Sequence, residues 1–274
     1  MSNKPVAKWN NIDEFLSFWL ENHSVLGKEE GEVFRTYYQN YLKSFSDYIK
    51  HYYAEQTRDI SAQIRAAGSP DLLEVGTGCG TEALWFAYLG ARVVTVDFNK
   101  ERVRVARARK RWLEENMGLK LDIEFVEKSI FDFASEPRFD LIWMEQTYHH
   151  VEPRAKLGPK LFSLLRPGGR CHISEVNAWN PLLQLQLFSV RGFKTLTYFV
   201  DDHGNKLPYG NERITTPVAL RHSLRRAGFK KVSSRNFRML PNSNPPRAWL
   251  KLEIGLLKLF PALSSHFNVE ALKG

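Results

Sequence analysis

The most constraining feature of this sequence is a short apolar run that ends in three glycines and passes directly into a helix. Asp71-Leu-Leu-Glu-Val75 is a candidate buried strand, Gly76, Gly78 and Gly80 follow at alternate positions, and Thr81-Glu-Ala-Leu84 opens the helix. Glycine at these points permits a tight turn and lets a ligand approach the backbone with no Cβ in the way. The helix start adds unpaired N–H groups and a partial positive charge. A second apolar run, Arg92–Val96, ends at Asp97, twenty-one residues after Gly76. In a strand–turn–helix–strand unit of this kind, a carboxylate at that point reaches the ribose hydroxyls of a bound nucleoside.

The rest of the chain fits the same plan. Further strands are expected at Leu121–Val126, Phe139–Met144, Arg170–Glu175, Phe229–Phe237 and His266–Leu272, with helices near Thr81–Leu89, Lys100–Met117 and Arg154–Leu165. Short apolar runs alternating with helical segments indicate βαβ units and a parallel sheet. Upstream, Asn11 and Glu14 form a capping-box pattern for a helix through Phe15, Phe18 and Trp19. From about Glu29 to Ala66 aromatic and aliphatic residues recur at three- and four-residue steps, which predicts a long helical stretch with one buried face. The expected fold is α/β: a Rossmann-like, seven-stranded, mostly parallel sheet sandwiched by helices, with an antiparallel last strand. Residues 1–68 read as an N-terminal helical cap, residues 69–274 as the ligand-binding domain, and 176–215 as a lid insertion after the fifth strand. That insertion holds a helix after Pro181 and a hairpin around Asp201–Asn205, and Thr216-Pro217 caps the next helix.

Two details choose the nucleoside. The glycines are spaced GxGxG, whereas dinucleotide-binding turns read GxGxxG, and Glu74 stands two positions before Gly76. Glu74 would repel a diphosphate and attract the ammonium of a methionine moiety, which favours S-adenosylmethionine (SAM) over NAD. At this point the segment from about Leu72 to Glu175 resembles the class I SAM-dependent methyltransferases, especially the broad group acting on small molecules. Leu73-Glu-Val-Gly-Thr-Gly-Cys-Gly80 is similar to that family's first motif, and Val94-Thr-Val-Asp97 to its ribose-binding strand end. Phe139-Asp-Leu-Ile-Trp143 resembles its fourth strand, and Leu165-Arg-Pro-Gly-Gly169 the turn before its fifth. The resemblance implies that Glu74 faces the methionine amino group, that Gly76, Thr77, Gly78 and Gly80 pack on the cofactor, and that Asp97 binds the ribose with Phe98 near the adenine. Ile130 and Met144 complete the implied cofactor contacts. Where many relatives place an Asp against the adenine amino group this chain has Ser129, so adenine recognition is expected from its hydroxyl and from backbone groups.

Methyl transfer from a sulfonium is an in-line displacement that needs alignment, and a base where the nucleophile carries a proton. The acceptor site of this fold lies beyond the fourth strand, which here reads Met144-Glu-Gln-Thr-Tyr-His-His150. His149 and His150 are candidate bases or pocket residues, since a neutral imidazole is available near neutral pH. The resemblance supports interest in the pair, because many relatives carry a His at this point. Glu145 and Tyr148 are secondary candidates, each with pocket wall as the plainer role. No Asp/Asn-Pro-Pro-aromatic motif follows this strand, which argues against methylation of adenine amines or glutamine amides. Tyr37, Tyr38, Arg191 and Arg213 are candidate acceptor contacts; for the first two the plain alternative is core packing, and for Arg213 a loop brace. Trp249–Phe260 is apolar on most sides and is expected to pack on the sheet, with a dimer interface or a membrane surface as alternatives.

Composition bounds the partners. Thirty-nine Lys and Arg against thirty Asp and Glu leave a net charge of +9, which favours an anionic partner. Six of the cations fall between Arg102 and Arg111, where a solvated helix exterior is the expected role. The two cysteines form no disulfide framework, and no Cys/His cluster has metal-ligand spacing, so no metal is expected. No apolar run is long enough for a transmembrane segment, and the N-terminus has no secretory pattern, so a cytoplasmic setting is expected, with peripheral membrane contact left open. The expected function is SAM-dependent methylation of a small-molecule acceptor at oxygen, nitrogen or carbon, the acceptor being lipid-like or aromatic. The alternatives are an RNA or protein methyltransferase, which no recognisable nucleic-acid-binding module supports, and a SAM-binding protein without turnover. The sequence leaves both a monomer and a homodimer open.

Overall fold

The computed structural model describes residues 9–200, 206–240 and 243–274. The chain divides into two compact units, Met1–Ala134 with Asn242–Pro245 and Ser135–Pro241 with Pro246–Gly274. The helices between Ile12 and Ala67 and the first three strands fall within the first unit.

In the first unit, β1 (Asp71–Val75), β2 (Arg92–Val96) and β3 (Ile123–Val126) are parallel neighbours. The buried residues of β1 and β2 are mostly Leu and Val, as strands covered on both faces require, with Glu74 and Thr95 the exceptions. Helix α1 (Ile12–Asn22) buries Phe15, Leu16 and Trp19. Its expected capping box forms one residue early: the Glu14 carboxylate accepts from the Asn10 amide at 2.8 Å, and Asn11 makes no side-chain cap bond. The long helix expected over 29–66 is broken into α2 (Lys28–Tyr37), α3 (Gln39–Lys43) and α4 (Asp47–Ala67). The break before α4 has a local cause, because Ser46 accepts from the Ile49 amide at 3.4 Å and starts a new helix. Helix α5 (Thr81–Tyr88) follows the glycine turn, and α6 (Lys100–Met117) is capped by Asn99, which accepts from the Arg102 amide at 3.0 Å.

The second unit holds β4 (Phe139–Glu145), α7 (Arg154–Leu164), β5 (Leu165–Val176), α9 (Pro217–Arg226), β8 (Val232–Phe237) and β9 (His266–Leu272), with α8 (Pro181–Arg191), β6 (Leu196–Val200), β7 (Lys206–Gly210) and α10 (Ala248–Leu259) between them. Seven strands form one sheet in the order β3-β2-β1-β4-β5-β9-β8, parallel except where β9 runs against both β5 and β8. The sheet is the Rossmann-like arrangement expected from the sequence. The insertion after β5 contains α8 and the antiparallel pair β6–β7, while the turn expected at Asp201–Asn205 lies outside the described residues.

Two helices depart from expectation. The basic run on α6 is not all exterior, because Arg109 is wholly buried. Its guanidinium donates to the Cys79 carbonyl at 2.6 Å and the Thr81 hydroxyl at 2.9 Å, and lies 4.7 Å from the centre of the Trp19 ring. Helix α10 was expected to bury an apolar face, yet its one buried residue is Glu253.

Candidate functional site

The cofactor half of the expected site lies in the first unit. β1 delivers Glu74 to the turn, and Gly76 and Gly80 close it through bonds to Val96 and Thr77 carbonyls at 2.9 and 2.8 Å. Gly80 has φ +84°, and a Cβ there would meet the Ala106 methyl at 2.5 Å, so α6 can pack against the turn only with glycine. Asp97 is locked from two sides: the Gly78 amide donates to Oδ2 at 3.0 Å and the Asn99 amide to Oδ1 at 2.8 Å. A carboxylate has about four lone-pair sites, so acceptor capacity is left for ribose hydroxyls. Phe98, next along, is 42% exposed.

The electrostatics of this turn call for a cation. Glu74, Glu82 and Asp97 are all buried. Burial, reinforced by Glu82, pushes the Glu74 carboxyl up to about 8, although Thr77 donates to it at 2.5 Å. Asp97 is also raised by burial, against the pull of the Asn99 and Gly78 amides. Glu82 is raised by burial too, with the Tyr53 hydroxyl donating to it at 2.5 Å and Arg109 opposing the shift. Buried acids held partly neutral gain from a ligand that brings positive charge, as the ammonium and sulfonium of SAM do. The residues present fit that group.

Other expected cofactor residues in this unit are placed as follows. Ser129 is half-buried, its hydroxyl accepting from the Phe131 amide at 3.3 Å, and Ile130 is buried. Tyr37 lies against the turn, its hydroxyl filling the space a Cβ on Gly78 would take, with Arg102 over its ring at 5.1 Å. Tyr38, read from the sequence as a possible acceptor contact, is buried with its hydroxyl 2.6 Å from that of Thr81.

In the second unit Met144 is buried within β4, and the segment after it carries the histidines. His149 is 3% exposed, and its Nδ1 lies 2.7 Å from Oε2 of Glu175, a fully buried carboxylate on β5. The other Glu175 oxygen accepts from the His149 amide at 3.4 Å. His150 places Nδ1 2.8 Å from the Gly210 carbonyl and stacks on Tyr209. Gly210 packs directly on the His149 carbonyl, where a Cβ would collide. This seats the end of β7 on the histidine pair and brings in Glu212, whose carboxylate is 3.6 Å from His149 Nε2 and 3.9 Å from His150 Nε2. Burial lowers the His149 pKa, but the charge and hydrogen bond of Glu175, with Glu212 and Glu145 behind, carry it above its ordinary value. His150 moves the other way, through burial and the neighbouring imidazole.

His149, His150 and Glu212 each offer one ligand atom within 4.8 Å of the others, a grouping that spacing alone did not disclose. Glu175, Glu212 and Arg154 were likewise not singled out in the sequence. A signal existed only for Glu175: β4 and β5 are adjacent, with Glu145 opposite Ser174, so an acid ending β5 lies beside the segment leaving β4. The remaining candidates are held by neighbours. Glu145 accepts from Gln146 Nε2 at 2.7 Å, and Tyr148 is buried under the Arg154 guanidinium. Arg213 pairs with Glu152, the brace role, and Arg191 donates to the Gly192 carbonyl at 3.0 Å.

Comparison with known proteins agrees with this geometry. A methyltransferase-domain family model matches residues 73–173. The chain is 27% identical over 142 residues to the methyltransferase GfsG of Streptomyces halstedii, covering 52% of this chain and 50% of that protein. It is 32% identical over 120 residues to a ubiquinone biosynthesis O-methyltransferase of Xanthomonas axonopodis, covering 43% and 47%. The matches thus span about half the length of these relatives. A solved SAM-dependent methyltransferase from Methanosarcina mazei shares the fold, with a TM-score of 0.52 at 17% identity, covering 75% of this chain and 93% of that one. Residues 73–173 thus match a methyltransferase domain, and the seven-stranded sheet is the fold of solved SAM-dependent methyltransferases.

Proposed function

We propose that this protein transfers the methyl group of SAM to a small-molecule acceptor, with His149 taking the acceptor's proton. The observation that carries the base assignment is the 2.7 Å contact between His149 Nδ1 and the buried Glu175 carboxylate. A carboxylate in that position holds the proton on Nδ1 and leaves Nε2 as the basic atom, while stabilising the imidazolium that forms. The acceptor's lone pair attacks the methyl carbon as the carbon–sulfur bond breaks, S-adenosylhomocysteine leaves, and the proton passes to Nε2. Glu212, half-exposed beside Nε2, is placed to pass it to solvent. A hydroxylated, lipid-like or aromatic acceptor fits this reading, and the name of one relative, a ubiquinone biosynthesis O-methyltransferase, supports a small molecule.

His149→Ala should leave SAM affinity unchanged and cut turnover by about 10²–10⁴-fold, the usual contribution of a general base. Full activity would remove His149 as the base. Because its pKa is raised, the wild-type rate should begin to fall on acidification at a higher pH than an ordinary histidine would give. Dialysis against a chelator should leave the rate unchanged; a loss restored by added zinc would reassign His149, His150 and Glu212 as metal ligands. Transfer to RNA or protein, or SAM binding with no turnover on any of a wide acceptor panel, would overturn the acceptor class.

A second consequence concerns Glu74. Its carboxyl titrates at about 8 in the free protein, so it is mostly protonated at neutral pH. An ammonium seated beside it lowers that pKa, so SAM binding should release a proton. Calorimetry in buffers of differing ionisation enthalpy measures this release, and a binding heat independent of buffer would count against the Glu74–ammonium contact.

A further inference from the structure

Most exposed large apolar residues of this chain are gathered in two stretches of the second unit. Helix α10 is inside out: Glu253 is fully buried and accepts from the Met239 amide at 2.6 Å, while Leu252, Ile254 and Leu259 are at least half exposed. Helix α8 has no buried residue, and Leu182, Leu185 and Val190 are each more than two-thirds exposed. Beyond its end Phe193 is 90% exposed and meets Phe188 edge-on, at 4.9 Å between ring centres. The two stretches are tied together, because Asn180, the cap of α8, donates to the Leu263 carbonyl at 3.0 Å. Trp179, Leu259 and Phe260 line one shallow groove at that junction.

Charge selects what covers this surface. The stretch from 178 to 209 carries Arg191, Lys194 and Lys206 against Asp201 and Asp202, which lie outside the described residues. The stretch from 246 to 264 carries Arg247, Lys251 and Lys258, and its single acid is the buried Glu253. An apolar surface of this size on a soluble chain marks an interaction site. Cations outnumber acids six to three over the two stretches, so a second copy facing this surface through a two-fold axis would bring a net excess of like charge together. A bilayer with anionic headgroups satisfies both parts: side chains enter the acyl boundary while Lys and Arg meet phosphate. No described helix is long and apolar enough to cross a membrane, so the contact is one that lies along the surface.

We propose that the second unit docks on an anionic lipid bilayer through α8, the paired strands β6 and β7, and α10. The inference goes beyond methyl transfer and stands without it, since it rests on residues outside the His149 cluster. Where both hold, the surface would bring the protein to acceptors dissolved in the membrane.

The test is co-sedimentation with vesicles made of equal parts phosphatidylglycerol and phosphatidylcholine, against vesicles of phosphatidylcholine alone. The full chain should bind the mixed vesicles, at least tenfold more weakly when salt is raised well above physiological strength, and should bind the neutral ones far less. The double variant F193E/L259E should lose at least tenfold in vesicle affinity, and K251E/K258E should lose the preference for anionic lipid. All four positions are exposed, so thermal midpoint and SAM affinity by calorimetry should match the wild type, which keeps this result separate from the methyl-transfer reading. No binding to mixed vesicles, equal binding to neutral vesicles, or a dimer in light scattering that F193E/L259E dissociates without any vesicle affinity would each overturn the proposal.

Discussion

Replacing Asp97 with alanine should weaken SAM binding by more than tenfold in a calorimetric titration. Two contributions act together. The carboxylate is the expected acceptor for the ribose hydroxyls, and hydrogen bonds to a charged group contribute about 1.5–3 kcal/mol each. The same carboxylate holds the Gly78 amide at 3.0 Å and the Asn99 amide at 2.8 Å, so its loss also loosens the turn on which the cofactor is to rest. Asp97→Asn keeps one acceptor oxygen and should fall between the two. If Asp97→Ala binds SAM as tightly as the wild type, the ribose assignment is wrong.

Replacing Arg109 with alanine should be the most destabilising single change in the first unit, at about 3–5 kcal/mol in urea unfolding. The side chain is fully buried, bonded to the Cys79 carbonyl and the Thr81 hydroxyl, and lies within 6.0 Å of the ring centres of Trp19, Phe34 and Tyr38. Truncation would open a cavity among those rings and leave the buried Glu82 without its neighbouring cation. It would also free both residues flanking Gly80, so SAM affinity should fall with stability. The guanidinium itself is imperfectly satisfied, since Nε and Nη2 have no hydrogen-bond partner. Arg109→Met should therefore recover much of the loss, because it refills the space among the rings. A loss below about 1 kcal/mol for Arg109→Ala would rule out this bracing role.

How much of this could be read from the chain differs by element. Strands β1, β2 and β9 and helix α6 have the bounds expected from sequence, because apolar runs of strand length and helical periodicity are local signals. The turn from Gly76 to Gly80 and the acid at Asp97 were legible for the same reason, being set by order and spacing along one βαβ unit. The long helix over 29–66 was misread because periodicity survives a break: its aromatic residues keep their spacing on either side of Ser44–Ser46, and only the Ser46 cap marks the interruption.

What the sequence by itself determined is the α/β class and the local order of strand, glycine turn, helix and acid, since these lie within one short run of chain. The tertiary structure alone decided which charges go inside. Arg109 and Glu253 sit in segments that look like a solvated helix and an apolar one, yet each is buried because a distant partner receives it, the aromatic rings of α1 and α2 for one and the Met239 amide for the other. The surroundings of His149 were decided in the same way. Glu175 is 26 residues away along the chain and Glu212 lies farther still, and only the pairing of β4 with β5 and the seating of β7 on His150 bring them to the ring. Local patterns carry helix caps and strand ends; the environment of a buried charge is a sum over neighbours that only folding assembles.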